Sequence, residues 1–150
     1  RRAVEFLESI GSPTVVTSRL NLALLHARRR DFAGLEKCLH GIETSGRVVA
    51  GSSWAGQLVV SRLPILAFRR DWAGWRRTIR EAAALFAKSP GVPTDVGTMA
   101  HIAGEIAQTA GEEERAREAY SLADEQRNHE ADTTGFIIVD GMLSRLPKVS

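Results

Sequence analysis

The sequence has almost no cysteine and no long apolar run, and each absence excludes a class of protein. Cys38 is the single cysteine in 150 residues, so the chain cannot build an internal disulfide framework or a thiolate zinc site. Its longest apolar runs, such as residues 136–139, are far too short to cross a bilayer. Residues 1–30 lack the basic start, apolar stretch and cleavage site of a signal peptide. We therefore expect a protein of the reducing cytoplasm, with no membrane as a partner.

Catalytic and metal-binding patterns are also scarce. His101 and Glu105 stand four residues apart, a spacing that metal ligands on one helix use, but no second cluster supplies further ligands. Residues 51–56 contain the glycines of a phosphate loop without the Lys-Ser/Thr that should follow. We interpret Cys38 as a small buried hydrophobic residue. The sequence predicts no enzyme, no metal site and no cofactor.

What is present is the composition of a folded domain with an uneven charge. Hydrophobic residues make up 43% and charged residues 25%, which are ordinary values. Residues 1–90 carry 15 Lys and Arg against 7 Asp and Glu, whereas residues 91–150 carry 5 against 11. The length fits one domain over residues 1–150, and the start at Arg1 leads us to expect a piece of a longer protein.

Two nearly identical hexamers indicate an internal repeat. Residues 29–34 read Arg-Arg-Asp-Phe-Ala-Gly, and residues 69–74 read Arg-Arg-Asp-Trp-Ala-Gly, at an offset of 40. A weaker third copy lies one residue later, at Ala110-Gly111-Glu112. Periods of 20–50 residues are typical of stacked repeat architectures.

The apolar spacing predicts that each repeat is a pair of helices joined by a very short turn. After Asp31, apolar residues follow in steps of three and four, and a second stripe precedes the turn. No segment shows the alternation of a strand, so the fold class is all-α. The predicted units are residues 13–46, 52–89 and 95–128, with flanking helices at 1–10 and 134–146.

Capping residues set the expected boundaries of these helices. Asp31 and Asp71 are placed to accept the first free amides of the second helices. Pro64 is expected to kink or break its helix. The other expected starts are Ser12-Pro13, Ser52 or Ser53, and Thr94 or Asp95, and the expected ends are Gly46 and Ser89-Pro90-Gly91.

The third unit resembles the tetratricopeptide repeat family. Gly111-Glu112 leads to Ala116, Tyr120 and Ala123, the small and aromatic residues of that family's second helix, and Gly104 matches the small residue of its first helix. The resemblance implies a right-handed superhelical array of about three antiparallel helix pairs.

This sequence departs from the family in two ways. The period is 40–41 residues instead of 34, and Leu63 and Trp75 are bulky where the family keeps small side chains. Such long units resemble the helical arrays of bacterial signal-transduction ATPases and maltose-regulator-type transcription activators.

The resemblance implies a non-catalytic module that binds a protein segment in a groove lined by the first helix of each pair. Arginines near the helix–turn corners favour an acidic protein or peptide partner. A structural role, in which those arginines complement helix C-termini and cover apolar rims, is the interpretation that the sequence favours for them. The candidate groove residues are Arg19, Asn21, His26, Arg62, His101, Glu105 and Gln108, and the candidate corner residues are Arg69, Arg70, Arg76 and Arg77.

Two other functions remain open at this point. The chain can be a sensor segment of a larger signalling or transcription regulator that binds a small molecule or an autoinhibitory domain. It can also be a basic repeat that binds nucleic acid, a less favoured reading because the predicted stripe puts Trp72 and Trp75 in the core. We further expect self-association through apolar strips at the array ends.

Overall fold

The computed structural model describes residues 14–45, 53–88 and 95–126, which are helical apart from short turns. No β-strand occurs in these three ranges, so the all-α prediction is confirmed for them. The predicted flanking helices at 1–10 and 134–146 lie outside the described residues. The helices are α1 (Val15–Arg28), α2 (Phe32–Thr44), α3 (Ser53–Val60), α4 (Leu63–Arg69), α5 (Trp72–Lys88), α6 (Asp95–Thr109) and α7 (113–126).

The predicted starts of α3 and α6 agree with the structure, whereas α1 begins later than predicted. α3 begins at Ser53 and α6 at Asp95, both among the predicted starts. α1 begins at Val15, with Thr14 in the N-cap position. The remaining predicted boundary residues, Ser12-Pro13, Gly46 and Ser89-Pro90-Gly91, lie outside the described residues.

Pro64 divides the first helix of the second unit, as predicted. Helix α3 ends at Val60 and α4 begins at Leu63, which puts Pro64 in the first turn of α4. Proline has no amide to donate and its ring clashes with the preceding turn, so a continuous helix would be destabilised here by about 3 kcal/mol. The buried Ser61 hydroxyl donates to the Gln57 carbonyl (2.7 Å) at the break.

The three helix–turn–helix connections share the hydrogen bonds of a Schellman motif, which satisfies the last carbonyls of a helix. In the first turn, the Asp31 amide donates to the His26 carbonyl (2.9 Å) and the Arg30 amide donates to the Ala27 carbonyl (3.0 Å). The equivalent bonds run from Asp71 to Leu66 (3.0 Å), Arg70 to Ala67 (3.1 Å), Glu112 to Ala107 (3.0 Å) and Gly111 to Gln108 (3.0 Å).

One residue in each turn adopts a left-handed backbone. Its φ is 57° at Arg30, 56° at Arg70 and 80° at Gly111. These three residues are 40 and 41 positions apart, the spacing of the sequence repeat. Glycine adopts this conformation without strain, whereas an L side chain destabilises it by about 1–2 kcal/mol. The first two turns therefore hold an arginine where the third holds the residue that the geometry favours.

Both predicted aspartate caps are confirmed. The Gly34 amide donates to Asp31 Oδ1 (2.9 Å), and the Gly74 amide donates to Asp71 Oδ1 (2.8 Å). Each bond satisfies one of the free amides at the start of a second helix.

The helices pack around a common apolar core. Leu63 and Trp75, the bulky departures from the family pattern, are both fully buried. Trp75 Nε1 donates to Glu118 Oε2 (2.9 Å), so its polar atom is satisfied by α7. The helix pairs that pack together are α1 with α2, α2 with α4, α3 and α4 with α5, α3 and α4 with α6, and α1 with α6.

Two close approaches position the helices of the third unit. α1 contacts α6, although these helices belong to the first and third units. On α6, a Cβ added at Gly104 would lie 2.6 Å from a ring carbon of Tyr120, so this glycine allows α7 to approach. The first turn therefore lies against α6, close to the second and third turns.

Candidate functional site

The ends of α1, α4 and α6 surround an open cavity of about 380 Å³, which we call the turn cavity. It lies where the three Schellman turns meet, because α1 packs against α6 and α2 packs against α4. Its lining residues are Arg30, Phe32, Ala67, Phe68, Arg70, Glu105, Ile106, Thr109 and Ala110.

An exposed aromatic stack forms one wall of the turn cavity. The rings of Phe32 and Phe68 are stacked, with centroids 4.3 Å apart and an angle of 25° between the planes. Phe32 is partly buried against the core, whereas Phe68 is 59% exposed. Phe68 follows the buried Ala67, so it points away from the core at the end of α4. The stack holds a large apolar surface in a fixed position in contact with water.

Arg30 is held in a defined position in this cavity. Its Nη1 donates to the Ile102 carbonyl (3.2 Å) and its Nη2 donates to Glu105 Oε2 (2.6 Å). Both acceptors lie on α6, so this side chain joins the first turn to the third unit. The Arg30 and Glu105 side chains are 42% and 45% exposed, which limits the ion pair to a small contribution to stability.

Arg70 is the second arginine that lines the turn cavity, and it is exposed. Within the described ranges, its guanidinium has no ion pair or side-chain hydrogen bond. The preceding residue, Arg69, differs in this respect, because its Nη2 donates a hydrogen bond to Glu36 Oε2 (2.7 Å). The cavity thus holds two arginines and one glutamate, a net positive charge beside the aromatic stack.

A second, smaller cavity of about 270 Å³ lies between α2 and α4, and we call it the α2–α4 groove. The Arg62 guanidinium donates to Glu43 Oε1 from Nη2 (2.7 Å) and Nε (3.2 Å). Arg69 and Glu36 form the other pair across this groove. These arginines join two helices through ion pairs with glutamates, a role that the sequence alone did not predict.

The eleven predicted binding residues are spread over several surfaces, and one groove does not contain them all. Arg70 and Glu105 lie at the turn cavity, and Arg62 and Arg69 lie at the α2–α4 groove. Arg76 and Arg77 are exposed on α5.

The remaining predicted residues lie on α1 and α6. Asn21 is exposed on α1, and Arg19 packs so closely over Gly41 that a Cβ there would meet its guanidinium. On α6, His101 Nε2 lies 3.7 Å from Glu105 Oε1, and Gln108 Oε1 accepts a bond from the Tyr120 hydroxyl (2.9 Å).

His26 belongs to the cap of α2. Its Nδ1 lies 2.7 Å from Asp31 Oδ2. The bond from the Gly34 amide, followed by the contact with His26, lowers the pKa of the Asp31 carboxyl below its ordinary value. Both effects stabilise the charged carboxylate.

Sequence reasoning missed the aromatic part of the turn cavity. Phe32 is the first residue of the apolar stripe that follows Asp31, which indicates a core position, and Phe68 falls outside the stripe that precedes the second turn. The available signal was an aromatic residue off the stripe, directly before Arg69 and Arg70. Arg30 is not among the candidate binding residues of the sequence analysis, although it lies in the first repeated hexamer.

The described residues offer little for metal chemistry. No group of three His, Cys, Asp or Glu side chains in them is arranged to hold an ion. Cys38 is half-buried against the core. Among the helices in these ranges, none is both long enough and apolar enough to cross a membrane.

Comparison with known proteins adds no relative. No protein-family model, no curated protein and no solved structure matches this chain.

Proposed function

We propose that this chain is a tetratricopeptide-like helical repeat module that binds a segment of another protein and performs no catalysis. The repeat assignment is supported by three Schellman turns, whose left-handed residues Arg30, Arg70 and Gly111 follow the sequence period. It is also supported by the close approach of Gly104 to Tyr120, two residues through which the third unit resembles that family. A right-handed superhelical stacking of the units is the arrangement that this resemblance implies.

Phe68 is the observation that carries the binding role. Its ring is 59% exposed but fixed by stacking on Phe32, so a partner can bury it with little loss of side-chain freedom. Burying a fully exposed side chain of this type contributes about 1.5–3 kcal/mol, so burying the exposed part of Phe68 contributes about 1–2 kcal/mol. Protein interfaces are enriched in aromatic residues and arginine, and both occur together at the turn cavity.

We place the binding surface at the turn cavity instead of a groove along the first helices. Arg19 packs on Gly41, His26 contacts the cap of α2, and Arg62 pairs with Glu43, so these three predicted groove residues contact their own chain. Arg70 and Glu105, which were also predicted, line the turn cavity.

Selection from a random dodecapeptide library displayed on phage tests this function. The wild-type chain should enrich peptide families that bind it, and Phe68→Ala should weaken each of them by about tenfold or more, as expected for a central interface residue. Leu25→Ala is the matched control, because Leu25 is a second large hydrophobic residue with an exposed side chain, at 43%. It should leave binding unchanged.

The selection also has a clear negative result. If no peptide family is enriched, or if the enriched peptides bind Phe68→Ala as tightly as the wild type, the proposed function is wrong. Circular dichroism and thermal unfolding of both variants establish that they remain folded.

A further inference from the structure

We propose that the turn cavity recognises an acidic residue next to a bulky apolar residue in the partner segment. This inference rests on the proposed function and specifies its ligand. The apolar side chain would pack on the Phe68 ring, and the adjacent carboxylate would pair with Arg70. The turn cavity places both features around one opening.

The size and apolar lining of the cavity fit a single bulky side chain. Its volume of about 380 Å³ lies at the lower end of the usual range for ligand pockets, about 300–1,000 Å³. The Phe32 ring stacks on the Phe68 ring. Apolar surface in the cavity comes from Ala67, Phe68, Ile106 and Ala110. An aromatic or large aliphatic residue would remove this surface from water.

The charge in the cavity favours a carboxylate. Arg70 is exposed and has no ion pair within the described residues, so its five N–H donors are available to a partner. A carboxylate can accept two of them in parallel, which gives both strength and orientation. Arg30 adds a second positive charge, while Glu105 holds it in place through a 2.6 Å bond.

The backbone of Arg70 supports a role in binding. Its φ of 56° is strained for an arginine, and the equivalent position in the third turn is Gly111. Residues held in such conformations cluster at functional sites. The turn would be more stable with glycine at position 70, so the backbone does not explain why an arginine is there. Binding of a carboxylate would explain it, because only the guanidinium can pair with that group.

Nucleic acid fits this cavity less well than an acidic peptide. Binding to a phosphate backbone needs a continuous basic face. Here Arg30, Arg62 and Arg69 are each paired with a glutamate of this chain. Glu105 also places a negative charge in the cavity, which repels the closely spaced phosphates of a nucleic acid more than a single carboxylate.

Fluorescence polarisation with synthetic peptides tests the inference. The probe is labelled Ser-Gly-Glu-Phe-Glu-Gly-Ser, and the matched peptides replace both Glu by Lys or Phe by Ala. The probe should bind about tenfold or more tightly than either matched peptide. One hydrogen-bonded charged group accounts for an effect of this size against the Lys peptide, and one buried apolar side chain accounts for it against the Ala peptide. Raising the salt from about 50 mM to about 500 mM should weaken its binding, because the electrostatic screening length becomes shorter as the ionic strength rises.

Two variants assign this effect to Arg70. Arg70→Gly removes the guanidinium at a position where glycine is favoured, and it should weaken probe binding by about tenfold or more. Arg77→Ala removes another exposed arginine, from the surface of α5, and should leave probe binding unchanged. A random-sequence DNA duplex should bind more weakly than the probe.

Several results would overturn the acidic preference. These are equal binding of the Lys and Glu peptides, unchanged binding by Arg70→Gly, no binding of the probe at millimolar concentration, or tighter binding of the duplex. If any of them occurs while library peptides still depend on Phe68, only the ligand assignment is wrong. If no peptide depends on Phe68, the proposed function itself fails.

Discussion

Arg30 and Arg70 each adopt a backbone conformation that is strained for arginine, and both side chains line the turn cavity. Each occupies the left-handed position that closes a helix, with φ of 57° and 56°, where Gly111 closes the third turn. Arg30 contacts the Ile102 carbonyl and Glu105 from there. Arg70 lines the turn cavity without such a partner among the described residues. The two arginines therefore have different roles in equivalent turns.

This difference predicts that Arg70→Gly stabilises the fold. Glycine relieves the left-handed strain, so the free energy of unfolding should rise by about 0.5–1 kcal/mol, somewhat less than the full strain because glycine also gains freedom in the unfolded chain. Chemical denaturation measures this change.

The same substitution inside a helix supplies the control. Arg77→Gly lies within α5 and should lower the free energy of unfolding by about 1 kcal/mol, since glycine is a poor helix former. A destabilised Arg70→Gly would show that Arg70 contributes more to the fold than the present contacts indicate.

At the scale of the elements, the start of α2 depends on a charged cap. The Gly34 amide donates to Asp31 Oδ1 (2.9 Å), and His26 Nδ1 lies 2.7 Å from Asp31 Oδ2. The hydrogen bond from the Gly34 amide is the largest of the causes that lower the pKa of the Asp31 carboxyl below its ordinary 3.8, followed by the interaction with His26. The cap stabilises the native state fully only while this carboxyl is ionised.

This cap predicts a specific dependence of stability on pH. Because the pKa of Asp31 is lowered in the folded state, its contribution is present above pH 3.8 and is lost as the pH falls through the lower folded value. Asp31→Asn keeps an oxygen acceptor for the amide but cannot titrate. Denaturation curves between about pH 6 and pH 2 should show a smaller loss of stability for this variant than for the wild type. Parallel losses in the two proteins would contradict the role of Asp31.

The packing of α6 against α7 depends on the absence of a side chain at Gly104. A Cβ there would lie 2.6 Å from the Tyr120 ring. Gly104→Leu should therefore lower the free energy of unfolding by about 1–3 kcal/mol through overpacking. Ala73→Leu adds the same side chain at an exposed position of α5 and should change stability by no more than about 0.5 kcal/mol. Equal effects of the two leucines, measured by thermal unfolding, would show that α6 and α7 are not closely packed.

At the scale of the whole molecule, the sequence predicts what is local and misses what depends on distant contacts. The Asp31 and Asp71 caps, the break at Pro64 and the helix bounds follow from residues within a few positions of one another. The turn cavity instead depends on α1 packing against α6, and the Arg30–Glu105 pair joins residues 75 positions apart. No periodicity in the sequence specifies that contact.

The candidate site shows the same division. Arg70 could be predicted because arginines near a repeated turn are conspicuous in the sequence, and Glu105 because it lies on a first helix, off the apolar stripe. Phe68 could not be assigned to a surface, since a single aromatic residue off the apolar stripe becomes significant only when Phe32 is seen to stack on it. Arg62 and Arg69 resemble binding residues in sequence, but their partners Glu43 and Glu36 lie on a neighbouring helix.

Mapping of a bound peptide by amide chemical shifts tests the central claim most directly. The strongest peptide from the library would be titrated into the ¹⁵N-labelled chain, and the ¹H–¹⁵N spectrum followed. We predict that the largest shifts fall on Phe32, Phe68, Arg70 and Ile106, which surround the turn cavity. Largest shifts at Asn21 on α1, or along the α2–α4 groove, with the turn cavity unchanged, would contradict the claim that the three turns form the binding surface.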